Sequence, residues 1–316
     1  MQIVKKYLSL IKFSHTIFAM PFAMIGFFLG TGSGKIDDGQ WSLSKTTGWG
    51  YDPASLNFWK MYRDVLIVKF IFVILCMVFA RSAAMAFNRY LDRHFDARNP
   101  RTALREIPSG EISANRALVF TVISSLFFIV CTFFINRLCF YLSPIALFVI
   151  LGYSYTKRFT ALCHLVLGLG LSLAPVGAYI AVTAQFAFLP VLFSFCVFFW
   201  VSGFDIIYAL QDEEFDKKNK LYSIPAVLGK KKALRVSEVL HVLSAAAIVA
   251  AGIYGAFGWL YWAGVVLFTG MLVYQHTIVK PHDLSRVNIA FMTANGIASV
   301  IFAIFVITDF FIGNQY

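Results

Sequence analysis

Carboxylates are scarce in this chain, which holds 16 Asp and Glu among 316 residues. Charged residues of either sign make up only 14%, too few to clothe an ordinary water-soluble domain of this length. Cysteine is little used as well. Cys76, Cys131, Cys139, Cys163 and Cys196 lie in or at the ends of apolar segments, are odd in number and show no C-x-x-C spacing, so neither a disulfide framework nor a thiolate metal centre is indicated. Strict apolar–polar alternation is missing too, which removes a transmembrane barrel. No A-x-A-like cleavage site follows the 13–30 run, so the stretch behind Lys5 and Lys6 reads as a retained first span and not as a signal peptide.

What the chain has instead is apolar length. Hydrophobic residues account for 59%, and runs near the roughly 20 residues that cross the hydrocarbon core as a helix recur at 13–30, 65–87, 116–135, 139–156, 161–183, 186–208, 235–255, 259–279 and 287–308. In lipid every backbone polar group must find a partner within the protein, so the expectation is an all-α, multi-pass bundle of about nine helices forming one domain over 1–316. With the N-terminus inside, all but six of the 27 Lys and Arg fall on one side; the exceptions are Lys35, Lys45, Lys60, Arg63, Lys69 and Arg137. This positive-inside pattern puts the N-terminus on the cytoplasmic face of a membrane, with the spans in contact with membrane lipids. The +11 net charge therefore needs no nucleic acid to explain it, since the basic residues sit in short loops between spans. On the outer side, 31–64 is a Gly-rich interruption carrying Trp41, Trp49, Tyr51, Trp59 and Tyr62. It reads as an interfacial cap or a docking loop, and no protein partner is implied.

The few acids are clustered. N-R-Y-L-D-R-H-F-D from Asn88 to Asp96 and D-I-I-Y-A-L-Q-D-E-E-F-D from Asp205 to Asp216 each follow directly on an apolar run, within inner-face motif segments spanning 88–115 and 209–234. As helices, the first puts Asn88, Asp92 and Asp96 on one face at i, i+4, i+8, and the second puts Asp212 and Asp216 on another. Two facing rows of oxygen ligands suit a hard cation such as Mg²⁺, which keeps positions for water and substrate phosphates, so a diphosphate is the natural ligand. His94 lies off the carboxylate face and is not a ligand. Each cluster is also followed by an apolar pair of spans, as if two four-helix units preceded a final helix.

The first cluster continues as A-R-N-P-R-T-A-L-R-E-I-P-S-G through Gly110. With N-x-x-x-D-x-x-x-D paired to D-x-x-Y-x-x-x-D-x-x-x-D, the chain resembles the UbiA superfamily of intramembrane prenyltransferases over nearly its whole length. Ile11–Ala23 and Arg101–Gly110 are most similar to the bacterial 4-hydroxybenzoate polyprenyltransferases. Two departures are Arg89, where many members have Asp, and the length of the 31–64 interruption. The resemblance implies a polyprenyl diphosphate donor and an aromatic acid acceptor in quinone biosynthesis, with Asn88, Asp92 and Asp96 binding one Mg²⁺ and Asp212 and Asp216 the other.

Basic residues fill out the expected site. Arg101 and Arg105, beyond the Asn99–Pro100 helix break, are either diphosphate contacts or inner-face anchors. Lys157 and Arg158 resemble the family's basic pair near the diphosphate and the acceptor carboxylate, with lipid headgroups as the alternative partner. Asp205 and Tyr208, one turn apart, either orient the acceptor and remove its proton or form a structural Tyr–Asp hydrogen bond. Lys12 and His15 line the acceptor pocket by family position, or are a snorkelling lysine and a packed histidine. Fold and metal motifs do not select the acceptor, so a menaquinone precursor, haem or a sugar phosphate would suit the same site. The other class, a cation-coupled transporter, is disfavoured because the acids fall at helix ends and not at the midplane.

Overall fold

The computed structural model describes residues 6–7, 9–10, 18–33 and 56–313, the side chains of 56–62 and 313 excepted. Lys12, His15 and most of the 31–64 interruption lie outside these residues. The described chain is helical. It comprises α1 (Met20–Thr31), α2 (Leu56–Arg98), α3 (Ala114–Ile135), α4 (Arg137–Thr156), α5 (Cys163–Thr183) and α6 (Phe188–Ala209). A 3₁₀ turn (Leu210–Asp212), two short helices, α7 (Glu213–Lys218) and α8 (Ile224–Leu228), and the long α9 (Lys230–Tyr254) and α10 (Trp259–Ile278) follow; a π-helical turn (Ile289–Ala294) leads into α11 (Asn295–Gly313).

Among the described residues seven helices are long and apolar enough to cross a membrane, so the bundle is shown and the count of nine spans is not confirmed. The difference has two sources: the described part of the first span, α1, is only 12 residues long, and α10, though 20 residues long, is diluted by its Trp and Tyr residues, Gln275 and His276. The interruption expected at 31–64 is also shorter, because Thr31 still belongs to α1 and the helix of α2 is already under way at Leu56. Likewise Asn88–Arg98 of the 88–115 segment is a direct continuation of α2, and the 209–234 segment is mostly short helix.

Buried polar side chains repair the places where helices end or change pitch. Asn136 separates α3 from α4: its carbonyl oxygen accepts from Cys139 N at 2.8 Å, and its amide donates to Ile180 O at 2.8 Å and Ala181 O at 3.2 Å. Lys69, 3% exposed, donates to the same Ala181 O at 2.9 Å and to Ile135 O at 3.4 Å. Both side chains thus serve the carbonyl ends of α3 and α5, where the helix dipole is negative and water is absent. Asn295 does the same for the π-helical turn, donating to Ala290 O and Phe291 O while its own oxygen accepts from Trp200 Nε1 and Gln275 Nε2, both at 2.8 Å. That network closes an aromatic core of Phe22, Phe193, Trp200, Tyr261, Phe268 and Phe302.

Helix α1 reaches this core because Gly26 and Gly30 let it approach α5 closely. A Cβ at Gly26 would lie 2.0 Å from the backbone oxygen of Pro175, and one at Gly30 would lie 2.8 Å from Val182 Cβ. Since the first obstacle is backbone and cannot rotate away, Gly26→Ala is expected to destabilise the bundle by ~1–3 kcal/mol. Gly152→Ala, with nothing within 4 Å of its Cβ, should be neutral or slightly stabilising. Thermal unfolding of the two variants in detergent checks the contrast; equal melting temperatures would show that α1 packs otherwise.

Candidate active site

Helices α2, α4, α5 and α6 enclose a cavity of about 590 Å³. One end is polar: Asn88, Asp92 and Asp96 from α2, Asp205 and Tyr208 from α6, and Asp212 and Asp216 just beyond it all line this single space, with Arg101, Arg105 and Lys157. The body is apolar, running past Val149 and Leu142 of α4 and Leu171 and Ala174 of α5 to Val73, Ile135 and Ala181. The two acidic motifs, 109 residues apart between Asp96 and Asp205, are therefore brought to one end of one chamber.

Basic side chains interleave the acids. Asp92 receives Lys157 Nζ at 3.1 Å on one oxygen and Arg158 at 3.0 Å on the other, while Asn88 Nδ2 approaches at 3.4 Å. Asp96 accepts from Arg105 at 2.7 Å. Its second oxygen is buried without a hydrogen-bond donor, with the buried Arg89 guanidinium 3.9 Å away, so the Arg89 departure places a cation beside the first motif. Asp212 is gripped by Arg101 through both oxygens, Nε to Oδ1 measuring 3.0 Å, and also accepts from Asn99 Nδ2 at 3.1 Å. Arg101 donates its remaining arm to Tyr208 Oη at 2.8 Å. Because these bases stand between the acids, among the described residues no three His, Cys, Asp or Glu side chains converge as a cation site in this arrangement.

The same pairing fixes charge. Burial works against the Arg101 guanidinium, but Asp212 and then Tyr208 outweigh it and hold the group above the ordinary arginine value. Lys157 follows the same logic: burial opposes its ammonium, and Asp92 and Asp216 more than restore it, leaving it above the usual lysine range. Lys157 also accepts, through its backbone oxygen, a 2.7 Å hydrogen bond from Tyr222 N, which ties the segment after α7 to the site.

Some partners differ from expectation. Asp205 and Tyr208 do not bond to each other; Asp205 pairs with His164 Nδ1 at 2.7 Å, and the Tyr208 ring stacks on Phe291 at 4.2 Å between centroids. His164 Nε2 lies 3.4 Å from Ile224 N, so the ring sits between Asp205 and the start of α8. Arg158 is not a lining residue. It donates to Ser154 O, Leu91 O and Asp92, so it braces α4 against α2 and leaves the acceptor-binding role without support. His94 is exposed and is not among the residues that line the cavity.

Two residues were overlooked in the sequence. Arg81 lines the cavity two turns deeper than Asn88, and its Nε is buried without a partner. His164 completes the Asp205 pair. Both carried a legible signal, an ionisable residue inside an apolar span.

The model of the UbiA prenyltransferase family matches residues 55–297. The chain belongs to this family, whose members are prenyltransferases. It is 30% identical over 253 residues to a 4-hydroxybenzoate octaprenyltransferase of Nitrosospira multiformis, covering 79% of this chain and 87% of that one. The corresponding enzyme of Tolumonas auensis is 29% identical over 259 residues, with 79% and 88% covered. Among solved structures, the apo structure of a UbiA homologue from Aeropyrum pernix K1 superposes with a TM-score of 0.72 at 25% identity, covering 96% of this chain and 98% of that one. A UbiA homologue from Archaeoglobus fulgidus, bound to DMAPP and Mg²⁺, gives 0.68 at 19% identity, with 97% and 99% covered, and shares the fold.

The Arg101–Asp212 grip latches the 99–113 loop across the polar end. Asp212→Asn keeps the shape but removes the charge, so backbone amides of 101–110 should exchange with deuterium about tenfold faster, as loss of ~1.5 kcal/mol implies. Exchange in the membrane-spanning helices should be unchanged. Equal protection of the loop in both proteins would show that the latch does not hold it.

Proposed function

We propose that this protein transfers a polyprenyl group from a polyprenyl diphosphate to an aromatic acid, 4-hydroxybenzoate, in a Mg²⁺-dependent step of quinone biosynthesis at a bacterial inner membrane. The observation that carries the reading is the shape of the cavity: a polar end crowded with acids and bases, continuous with an apolar body. A polyprenyl diphosphate has the same division between head and tail. The names of the 4-hydroxybenzoate octaprenyltransferase relatives support the acceptor, and the DMAPP and Mg²⁺ of the Archaeoglobus homologue support the donor and the metal.

The donor set fits Mg²⁺. Asn88, Asp92, Asp96, Asp212 and Asp216 offer only oxygen ligands, and Asp96 has an oxygen that no donor satisfies. Asn88, Asp92 and Asp96 would hold one ion and Asp212 and Asp216 a second. When bound, Mg²⁺ supplies positive charge against the charge that develops on the departing diphosphate. For the acids to take up this role, Arg101, Arg105 and Lys157 turn from carboxylate to phosphate oxygens. Every charge keeps a counter-charge through the exchange, and the bidentate reach of Arg suits phosphate as well as carboxylate. Phe95, Tyr208 and Phe291 line the space beside the acids and offer ring faces to an allylic carbon gaining positive charge.

The acceptor's place is argued from Arg81. A half-buried guanidinium whose Nε is buried without a partner, set in a mostly apolar chamber, calls for an anion, and an aromatic carboxylate would supply one. Held there, the acceptor ring would lie between Arg81 and the diphosphate end, about 10 Å apart along α2. Ring attack on the allylic carbon leaves a proton to remove, and Asp205, oriented by His164, is the carboxylate available to accept it.

Membranes containing the protein, supplied with radiolabelled polyprenyl diphosphate and 4-hydroxybenzoate, should yield an extractable prenylated product. EDTA should stop the reaction and Mg²⁺ restore it. Asp92→Ala and Asp212→Ala should each lower kcat by about 100-fold or more without loss of protein from the membrane. Arg81→Gln should raise the acceptor KM about tenfold or more while the donor KM moves less than about twofold. Equal effects on both substrates would remove Arg81 from the acceptor site, and a metal-independent rate would overturn the mechanism.

A further inference from the structure

Arg89 stands inside the first acidic motif, one residue after Asn88 and seven before Asp96, which puts it on the Asp96 face of α2. It lines the cavity, its side chain is 4% exposed, and its guanidinium lies 3.9 Å from Asp96 Oδ2. Two polar atoms are left over at that contact. Arg89 Nε and Asp96 Oδ2 are both buried without a hydrogen-bond partner. The charged and titratable groups that act on Arg89 are Asp96 on its own helix, Arg105 and Glu106 of the 99–113 loop, and Tyr153 of α4.

The bases of the site differ in their freedom to move. Arg101, Arg105 and Lys157, with side chains 28%, 20% and 31% exposed, stand on the loop or at the end of α4 and can turn toward a phosphate. Arg89 is walled in on a helix. Its charge therefore stays beside Asp96 whatever the loop does. A divalent cation brought to Asp96 alone would stand against a fixed positive charge in a setting that screens little. A diphosphate changes the balance: its negative charge answers the cation and the guanidinium together, and its oxygens can accept from the unpartnered Nε. Asp212 of the second motif is met by the loop-borne Arg101 instead, which can leave when an ion arrives.

We propose that Arg89 makes cation binding at the first motif conditional on the donor: Asn88, Asp92 and Asp96 take up their ion only together with a diphosphate. The inference rests on the diphosphate and Mg²⁺ reading of the polar end. Arg89 acts through the ion, so it is a positioning residue and not a catalytic one. Until the donor arrives, the first-motif acids stay paired with Lys157, Arg158 and Arg105, and free Mg²⁺ does not displace those bases. Coupling of this kind is reciprocal, so the ion and the diphosphate each strengthen the binding of the other.

The test is equilibrium dialysis of the detergent-solubilised protein against Mn²⁺, which favours the same oxygen ligands as Mg²⁺, with bound metal and bound phosphorus measured with and without inorganic pyrophosphate. Without pyrophosphate, Asp96→Asn should take up as much Mn²⁺ as the parent, because the first motif is empty in both. With pyrophosphate, the parent should gain an ion that Asp96→Asn lacks. Arg89→Gln should acquire that ion without pyrophosphate, at an affinity about tenfold or more above the parent's, and adding Asp96→Asn should remove the gain. Arg89→Lys, which keeps the charge, should bind as the parent does. An Arg89→Gln protein whose first motif binds Mn²⁺ no better than the parent's would overturn the proposal. So would a parent whose Asp96-dependent ion binds equally with and without pyrophosphate, a comparison that stands even where Arg89→Gln fails to fold. A parent that takes up no pyrophosphate alongside Mn²⁺ would overturn the diphosphate reading itself, and the conditional site with it.

Discussion

Charge in a low-dielectric setting must be answered by charge, and the polar end of the cavity is organised around that requirement. An isolated carboxylate carried into a membrane protein loses its hydration and either takes up a proton or finds a cation. Here Asp92, Asp96 and Asp212 each face a basic side chain, supplied by the loop after α2 or by the end of α4. The long helix α2 and the loop after it are arranged so that Asp92 and Asp96 meet Lys157 and Arg105, while Arg101 crosses to Asp212 beyond α6. The same pairs are exchangeable, since a diphosphate and its cations present the same charges in a new order. A site built of matched pairs can therefore rest without its ligand and accept it without leaving a buried charge alone.

The rule extends to the backbone. Lys69, Asn136 and Asn295 are buried, yet none belongs to the cavity; each serves carbonyl oxygens where a helix stops or widens. The carbonyl ends of α3 and α5 would otherwise face hydrocarbon. The π-helical turn at Ile289–Ala294 brings Phe291 against Tyr208 and Phe204, linking the last helix to the polar end, and it depends on Asn295 to satisfy its displaced carbonyls. Precise placement of the site thus rests on three polar side chains that composition alone would count as liabilities.

Much of this was legible in the chain. Apolar run lengths led to an all-α membrane bundle, and the i, i+4 spacing of Asn88, Asp92 and Asp96 put them on one face of a helix that the structure continues to Arg98. The number of spans was less legible, because the 20-residue helix α10 is less apolar than the others: it carries Gln275 and His276, which turn inward toward Asn295 and His241. Partner choice was illegible for a different reason: which base meets which acid depends on how the 99–113 loop folds back, and no periodicity governs a loop. Arg158 illustrates the limit, for its neighbour Lys157 lines the cavity while Arg158 itself braces α2.

Arg81 and Arg101 show how the same residue type takes opposite parts in one chamber. Arg101 is fully engaged, with Asp212 and Tyr208 meeting its three nitrogens, and its charge ties the loop after α2 to Asp212. Arg81 has no carboxylate partner among the described ion pairs, and its Nε has no acceptor, in a region whose other lining groups are mostly apolar. An unmatched guanidinium is costly at that depth, and packing alone would have been served better by a leucine. The carboxylate of the proposed acceptor would answer that charge. In that proposal the depth of Arg81, seven residues before Asn88 on the same helix, sets where the acceptor ring lies.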